Sequence, residues 1–419
     1  MTINLDEFSI INGKKYKKCK SNQIRNPNTN RCNKIKIVKK SKTFINLKAK
    51  KIQKLFLPFI NRVSGNIEDR IHYYFMIKKF LNIHNNSKKC LEIYKYINEK
   101  PIYRIGNNII LKKQIGSQSA HGIVFLSTFR DKNKKLFKYA CKLTMNNLAS
   151  EKDNEIQEKL TKSITKCPHF PILYGTIECN YLLNKDSYIK SNSKDNNIIG
   201  KFIDYPKIIQ NAKLFNKTVL ITFNELANGD LNSYINTERF FKSEELYNCL
   251  TQIYLSLMFY YQEIKMLHCD AHSGNFLYHK IKKGGYFHYN LFGIDYYIKN
   301  IGYLWIIWDF ELSLPFDKNK YLLNGDFKYI INEFMPKKKL NKNHIEGWNI
   351  NTHYKINNIA INKIQEIYKE LFKAPIKYNN NDIKDVCKTI INVLRKNKFL
   401  LTKIPLNAII LNKTPYTLK

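Results

Sequence analysis

The stretch Leu267–Leu277, LHCDAHSGNFL, decides how the rest of the chain is read. It follows Ser243–Ile264, SEELYNCLTQIYLSLMFYYQEI, whose apolar residues recur at intervals of three and four, the spacing of a helix. Within the stretch, His268, Asp270 and Asn275 fit the spacing H-x-D-x-x-x-x-N. A carboxylate that takes the proton of an attacking hydroxyl and an amide that turns back to a metal beside phosphates must share one short loop of set length. The spacing therefore predicts phosphoryl transfer, with His268 and Asp270 in the catalytic loop, Asp270 as base and Asn275 on the metal.

Outward from this loop, four further segments fall in an order that suits the same chemistry. Downstream, WIIWDFELS presents Asp309 at the end of an apolar run, an oxygen ligand suited to Mg²⁺ together with Asn275. Upstream, Tyr139-Ala140-Cys141-Lys142 reads as a strand, so Ala140 and Lys142 share a face. Ala140 leaves room for adenine, and Lys142 reaches phosphates while held by a carboxylate of the following helix, Glu155 first and Glu158 second. Earlier still, Ile115 to Val124 (IGSQSAHGIV) is a small-residue turn between strands. Its Ile115, Gly116, Ser117, Ser119, Gly122 and Val124 are expected around the triphosphate. Finally, LITFNELANGDL joins a buried strand through Glu225 and Ala227 to a turn, as a hinge between lobes would.

These residues resemble the eukaryotic-type protein kinase superfamily over about Ile105 to Leu400, and within it the serine/threonine kinases of large DNA viruses such as invertebrate iridoviruses and ascoviruses. The resemblance implies a Ser/Thr protein kinase using ATP and Mg²⁺, with Asp270 as base, Lys142 and Glu155 as ion pair, Asn275 and Asp309 on metal, and adenine at Glu225 and Ala227. CKSNQIRNPNTNRC (Cys19–Cys32) is similar to a two-cysteine adaptor module fused to such viral kinases, which implies a protein partner. The chain departs from the family at Cys269, His272, Glu311, Ser117 and Ser119, and about fifteen residues separate Asp309 from Asp326. Those departures keep two alternatives open: a scaffold that has lost catalysis, and a small-molecule kinase similar to aminoglycoside phosphotransferases.

Strand-like texture before Gly229 and helical texture after it predict an α+β fold in two lobes, a small β-rich N-lobe and a larger mainly α-helical C-lobe. The expected divisions are a two-cysteine module over 1–38, a basic helical linker over 39–100, the N-lobe over 101–227 and the C-lobe over 228–419. A hydrophobic fraction of 44% excludes a disordered chain. Lys+Arg 71 against Asp+Glu 33 leaves a formal charge of +38, which suits nucleic acid as a partner as well as an AT-rich coding sequence does. The 9 cysteines are scattered, which argues against a secreted disulfide framework. No apolar run is long enough to span a bilayer. Host-cell cytoplasm is the expected location, with packaging in the virion as a second expectation, and viral or host proteins are the expected substrates.

Overall fold

The structure is a computed structural model that describes residues 8–11, 14–17, 23–25, 32–34, 67–84, 90–98, 100–106, 108–115, 122–130, 136–179, 207–215, 217–236, 243–316, 325–334, 358–372 and 383–412. The chain divides into two units, Met1–Phe59 and Ile60–Lys419. In the first, β1 (Phe8–Ile11) pairs with β2 (Lys14–Lys17) and β3 (Gln23–Arg25) with β4 (Cys32–Lys34), both antiparallel. Cys32 opens β4, opposite Arg25, while Cys19 lies outside the described residues.

The second unit begins with helix α1 (Ile67–His84), followed by β5 (Glu92–Ile97), β6 (Lys100–Ile105), β7 (Ile109–Gln114), β8 (Gly122–Arg130) and β9 (Leu136–Met145). Helix α2 (Leu148–Lys162) comes next, then β10 (Leu173–Cys179), α3 (Lys207–Leu214) and β11 (Val219–Asn224). The strands form one antiparallel sheet of 7 in the order β10-β11-β9-β8-β7-β6-β5. Although β5 and β10 stand at opposite ends of this order, Cys90, just ahead of β5, is disulfide-bonded to Cys179, the last residue of β10. The sheet therefore curls until its two edges meet at one corner, and α1 packs against β10. Residues 92–97 pair as a strand with 100–105, where the sequence suggested a helical linker reaching residue 100.

Beyond Asn224 run β12 (Gly229–Asp230), α4 (Leu231–Asn236), α5 (Ser243–Ile264), β13 (Met266–Leu267), β14 (Phe276–Lys280), β15 (Tyr286–Leu291), β16 (Ile294–Lys299), β17 (Tyr303–Ile307), β18 (Leu314–Pro315), α6 (Gly325–Glu333), α7 (Asn358–Phe372) and α8 (Ile383–Lys396). Strands β12, β14 and β17 form a three-stranded sheet, β15–β16 a hairpin and β13–β18 a short bridge. The expected small β-rich lobe followed by a mainly helical one is thus corrected. The first half holds a seven-stranded sheet, and the second is mixed, with strands interleaved among its helices. The reason lies in YFHYNL-FG-IDYYIK, aromatic and β-branched with a period of two, and in YLWII, a short continuous apolar run buried throughout. A two-residue turn joins the first pair, Phe292 at φ +53° and Gly293 at φ +83°, both left-handed as a tight hairpin requires.

Helix α5 is the core element, buried on nearly every face from Cys249 to Tyr261. Its tyrosine hydroxyls would be costly to bury alone, and each has a partner: Tyr254 donates to Phe327 O at 2.8 Å, Tyr260 to Ser313 Oγ at 2.8 Å and Tyr261 to Asp326 Oδ2 at 2.7 Å. The helix is thereby tied to the segments at Ser313 and at Asp326–Phe327.

Candidate active site

Lys142 lies in the middle of β9, directly across from Val124 of β8 and Thr222 of β11, and is 5% exposed. Residues opposite each other or two apart on a strand share a face, so Val124, Ala140 and Lys142 line one side of the sheet. Gly122 opens β8, and a side chain there would stand 3.0 Å from Leu143 O and 3.5 Å from Lys142 Cε, so glycine keeps that backbone close to the lysine. Ile115 donates its N–H to Val124 O at 2.8 Å. Gly116, Ser117 and Ser119, the expected phosphate loop, lie outside the described residues.

Three carboxylates surround the Lys142 ammonium: Asp153 Oδ2 at 3.2 Å, Asp309 Oδ1 at 2.9 Å and Glu311 Oε1 at 2.9 Å. Burial alone would lower the pKa of this lysine, but these neighbours outweigh it and hold the ammonium well above its ordinary value. The expected helix partner, Glu155, is not among them, and neither is Glu158; both are exposed. Helix phase is the cause. Asp153, Ile156, Gln157 and Leu160 form the buried stripe of α2, which Asn147 starts with a capping box through Ser150. Asp153 also accepts the Phe310 N–H at 3.0 Å through Oδ1, so one carboxylate ties α2 to both Lys142 and the Asp309 segment.

The Asp270 loop is held from beneath by Asp326 at the start of α6. Its two oxygens accept the N–H of His268 at 2.8 Å and of Cys269 at 2.9 Å, which fixes Cys269 in a left-handed conformation, φ +63°. The His268 ring is fully buried; its Nδ1 accepts the Asp270 N–H at 3.3 Å, so Nε2 carries the proton toward Trp308 O at 3.2 Å. Asn275 Nδ2 donates to Asp270 Oδ2 at 2.8 Å and to Asp270 O at 3.0 Å, and Trp308 N–H donates to Asn275 O at 3.0 Å. His272 accepts the Gly274 N–H on Nδ1 at 3.0 Å, so its protonated Nε2 stands 3.6 Å from Asp270 Oδ2. A side chain at position 274 would come within 2.8 Å of the His272 ring and push it from its present place.

Burial raises the Asp270 carboxyl above its usual range, aided by nearby Asp309 and opposed by His272 and His268. Burial likewise raises Glu311, where Lys142 pulls down and Asp309 and Asp153 push up. Asp309, left-handed at φ +70° with 32% of its side chain open, is drawn below its ordinary value because Lys142 outweighs burial. The four expected residues Lys142, Asp270, Asn275 and Asp309 are thus linked by contacts around one space.

This donor set suits a hard divalent cation. Three carboxylates face one lysine, so oxygen ligands are in excess over cations. Oxygens of Asp153, Asp309 and Glu311 lie within 4.8 Å of one another, close enough to share an ion. Lys142 contacts all three, however, so that cluster is a cage for the ammonium. Asp309 is the most open of the three.

The hinge segment is organised differently from the expectation. The Glu225 carboxylate is buried and gripped by Arg70 of α1, with Nε to Oε1 at 2.8 Å and Nη2 to Oε2 at 2.7 Å, and His279 Nε2 lies 3.3 Å from Oε1. Glu225 N–H donates to Ile172 O at 2.9 Å, and Ala227 two residues on is half-buried. Sequence reasoning missed Asp153, Glu311, Asp326 and Arg70 as parts of the site. Asp153 alone carried a signal, since it keeps helical phase with Ile156 and Leu160. No protein-family model matches the chain, and no curated protein matches it.

Proposed function

We propose that the chain transfers the γ-phosphoryl group of ATP to a Ser or Thr hydroxyl of a protein substrate. The observation that carries this reading is the convergence of Lys142, Asp309 and the Asp270–Asn275 loop, joined by the 2.9 Å Lys142–Asp309 pair and the 3.0 Å Trp308–Asn275 bond. In the reaction the substrate O–H gives its proton to Asp270, the oxygen bonds to phosphorus, and the bond to the departing ADP breaks. A raised pKa suits that role, because a base is most useful when its pKa approaches the working pH. The His272 N–H steadies the carboxylate. Lys142 meets phosphate oxygens by turning from one of its three carboxylates. Mg²⁺ held by Asn275 and Asp309 would neutralise phosphate charge when bound.

The test is transfer of labelled phosphate from MgATP to protein mixtures, with Asp270→Asn and Lys142→Ala compared at equal folded concentration. Asp270→Asn should lose about 10² to 10⁴-fold, the contribution of a positioned general base. Undiminished transfer in both variants would remove the mechanism. Label that appears only in metabolite extracts would point to a small-molecule acceptor. Nucleotide binding without any transfer would point to a scaffold.

A further inference from the structure

Far along the chain from Lys142 and the Asp270 loop, helix α8 ends in a left-handed turn at Lys398, φ +60°, and the chain folds back on itself. Between the last helical turn and residues 398–403 lies an open cleft of about 610 Å³. Arg395, Lys396, Lys398 and Lys403 line it, all exposed, with Asn392 and Thr402 as neutral donors; Lys396 is bonded to Glu370 of α7 at 2.8 Å, and no carboxylate is itself among the lining residues. Arg395 and Lys396 belong to the last turn of α8, where cations ordinarily complement the helix carbonyls. That account does not cover Lys398 and Lys403, which lie beyond the helix. The backbone that presents them is held in place. Leu401 and Tyr297 exchange hydrogen bonds of 2.8 and 3.0 Å, Phe399 N–H donates to Leu394 O at 3.0 Å, and the Phe399 ring stacks on Tyr247 with centroids 4.5 Å apart.

We infer that this cleft docks the phosphate backbone of double-stranded nucleic acid without reading its bases. Three of its four cations are lysines, point charges suited to a diffuse polyanion. A phosphorylated side chain would favour the planar forks of several arginines. No aromatic ring lines the cleft, whereas single-strand sites stack bases on such rings. The net charge of +38 supplies the long-range attraction that brings a polyanion to this face. This docking does not depend on the phosphoryl transfer proposed above.

The experiment measures binding of the full-length protein to a fluorescent random-sequence duplex between about 50 and 200 mM salt. Reversing Arg395, Lys398 and Lys403 to Glu together should flatten the log–log salt slope by about 3, near 0.9 for each phosphate that is no longer neutralised. A control that reverses the exposed Lys280, Lys282 and Lys283 carries the same charge change and should leave most of the slope intact. The milder Arg395→Gln, Lys398→Gln, Lys403→Gln variant should fall between wild type and the reversal, which guards against a folding defect. Equal flattening by the control and the cleft variant would overturn the inference. So would binding of phosphopeptide or anionic vesicles at this cleft with no change in duplex binding.

Discussion

At the scale of single residues, the identity of the Lys142 partner is decided by helix phase. Asp153→Ala removes one of three carboxylates and the acceptor of the Phe310 N–H, and should cost about 1–3 kcal/mol, since a buried donor is left without its partner. Glu155→Gln, on the exposed side of the same helix, should stay within about 0.5 kcal/mol in chemical denaturation. Asp270 gives a second test, in pH. Its folded-state pKa is raised, so the folded protein holds that proton more tightly than the unfolded chain does. Its ionisation therefore costs stability, absent at low pH and growing as pH rises through the folded value. Asp270→Asn should melt above wild type at neutral pH, with the gap closing as pH falls. Transfer activity should show the opposite dependence, rising with pH as the base ionises, with a midpoint above the ordinary carboxylate range in kcat/KM profiles. A midpoint at the ordinary value would contradict the burial argument.

At the scale of elements, α1 matters more than its place ahead of the sheet suggests. Arg70, 4% exposed, reaches Glu225 with two bonds and also donates to Pro168 O at 2.5 Å and Phe170 O at 2.7 Å. One helix thus fixes the segment after β11 and the segment before β10, and through His279 it touches the strand that follows the Asp270 loop. Burial pushes the Glu225 carboxyl up, but Arg70 and His279 outweigh it and hold it far below the usual range. Its stabilisation is therefore present above the unfolded carboxylate pKa and is lost as pH falls below it. Arg70→Met should cost about 3–5 kcal/mol, because it strands a buried carboxylate, and Arg70→Met with Glu225→Leu should recover much of that loss. Urea unfolding of the two variants checks this; equal losses in both would show that the charge pair is not the cause.

For the whole molecule, one disulfide ties the two ends of the seven-stranded sheet together. Cys90 and Cys179 are 89 residues apart in sequence, yet the curl of the sheet brings their Cα atoms to 5.5 Å. A loop of that length loses enough freedom when cross-linked that Cys90→Ser with Cys179→Ser should cost about 4.6 kcal/mol relative to the oxidised protein. Thermal melts with and without reductant measure it, and an unchanged melting temperature in the double variant would count against the bond. The remaining cysteines among the described residues that have no disulfide, Cys141, Cys167, Cys249 and Cys387, are buried, with Cys269 half-buried. Among the described residues no helix is long and apolar enough to cross a membrane.

What the sequence by itself determined is what depends on local spacing. The H-x-D-x-x-x-x-N loop, the strand that carries Ala140 and Lys142, and helix α5 are each set by interactions within a few residues, so periodicity and motif length expose them. The interleaved strands from Phe276 to Ile307 were equally local in their alternation, but a mainly helical texture on both sides of them hid it. Only the tertiary structure could decide that Asp153 replaces Glu155, that Glu311 completes the cage, that Asp326 pins the loop and that Arg70 closes on Glu225. All but the Lys142–Asp153 contact, 11 residues apart, pair residues far apart in the chain, and which carboxylate a buried cation meets is settled by how helices and strands turn their faces when packed, of which linear spacing holds only the helix phase.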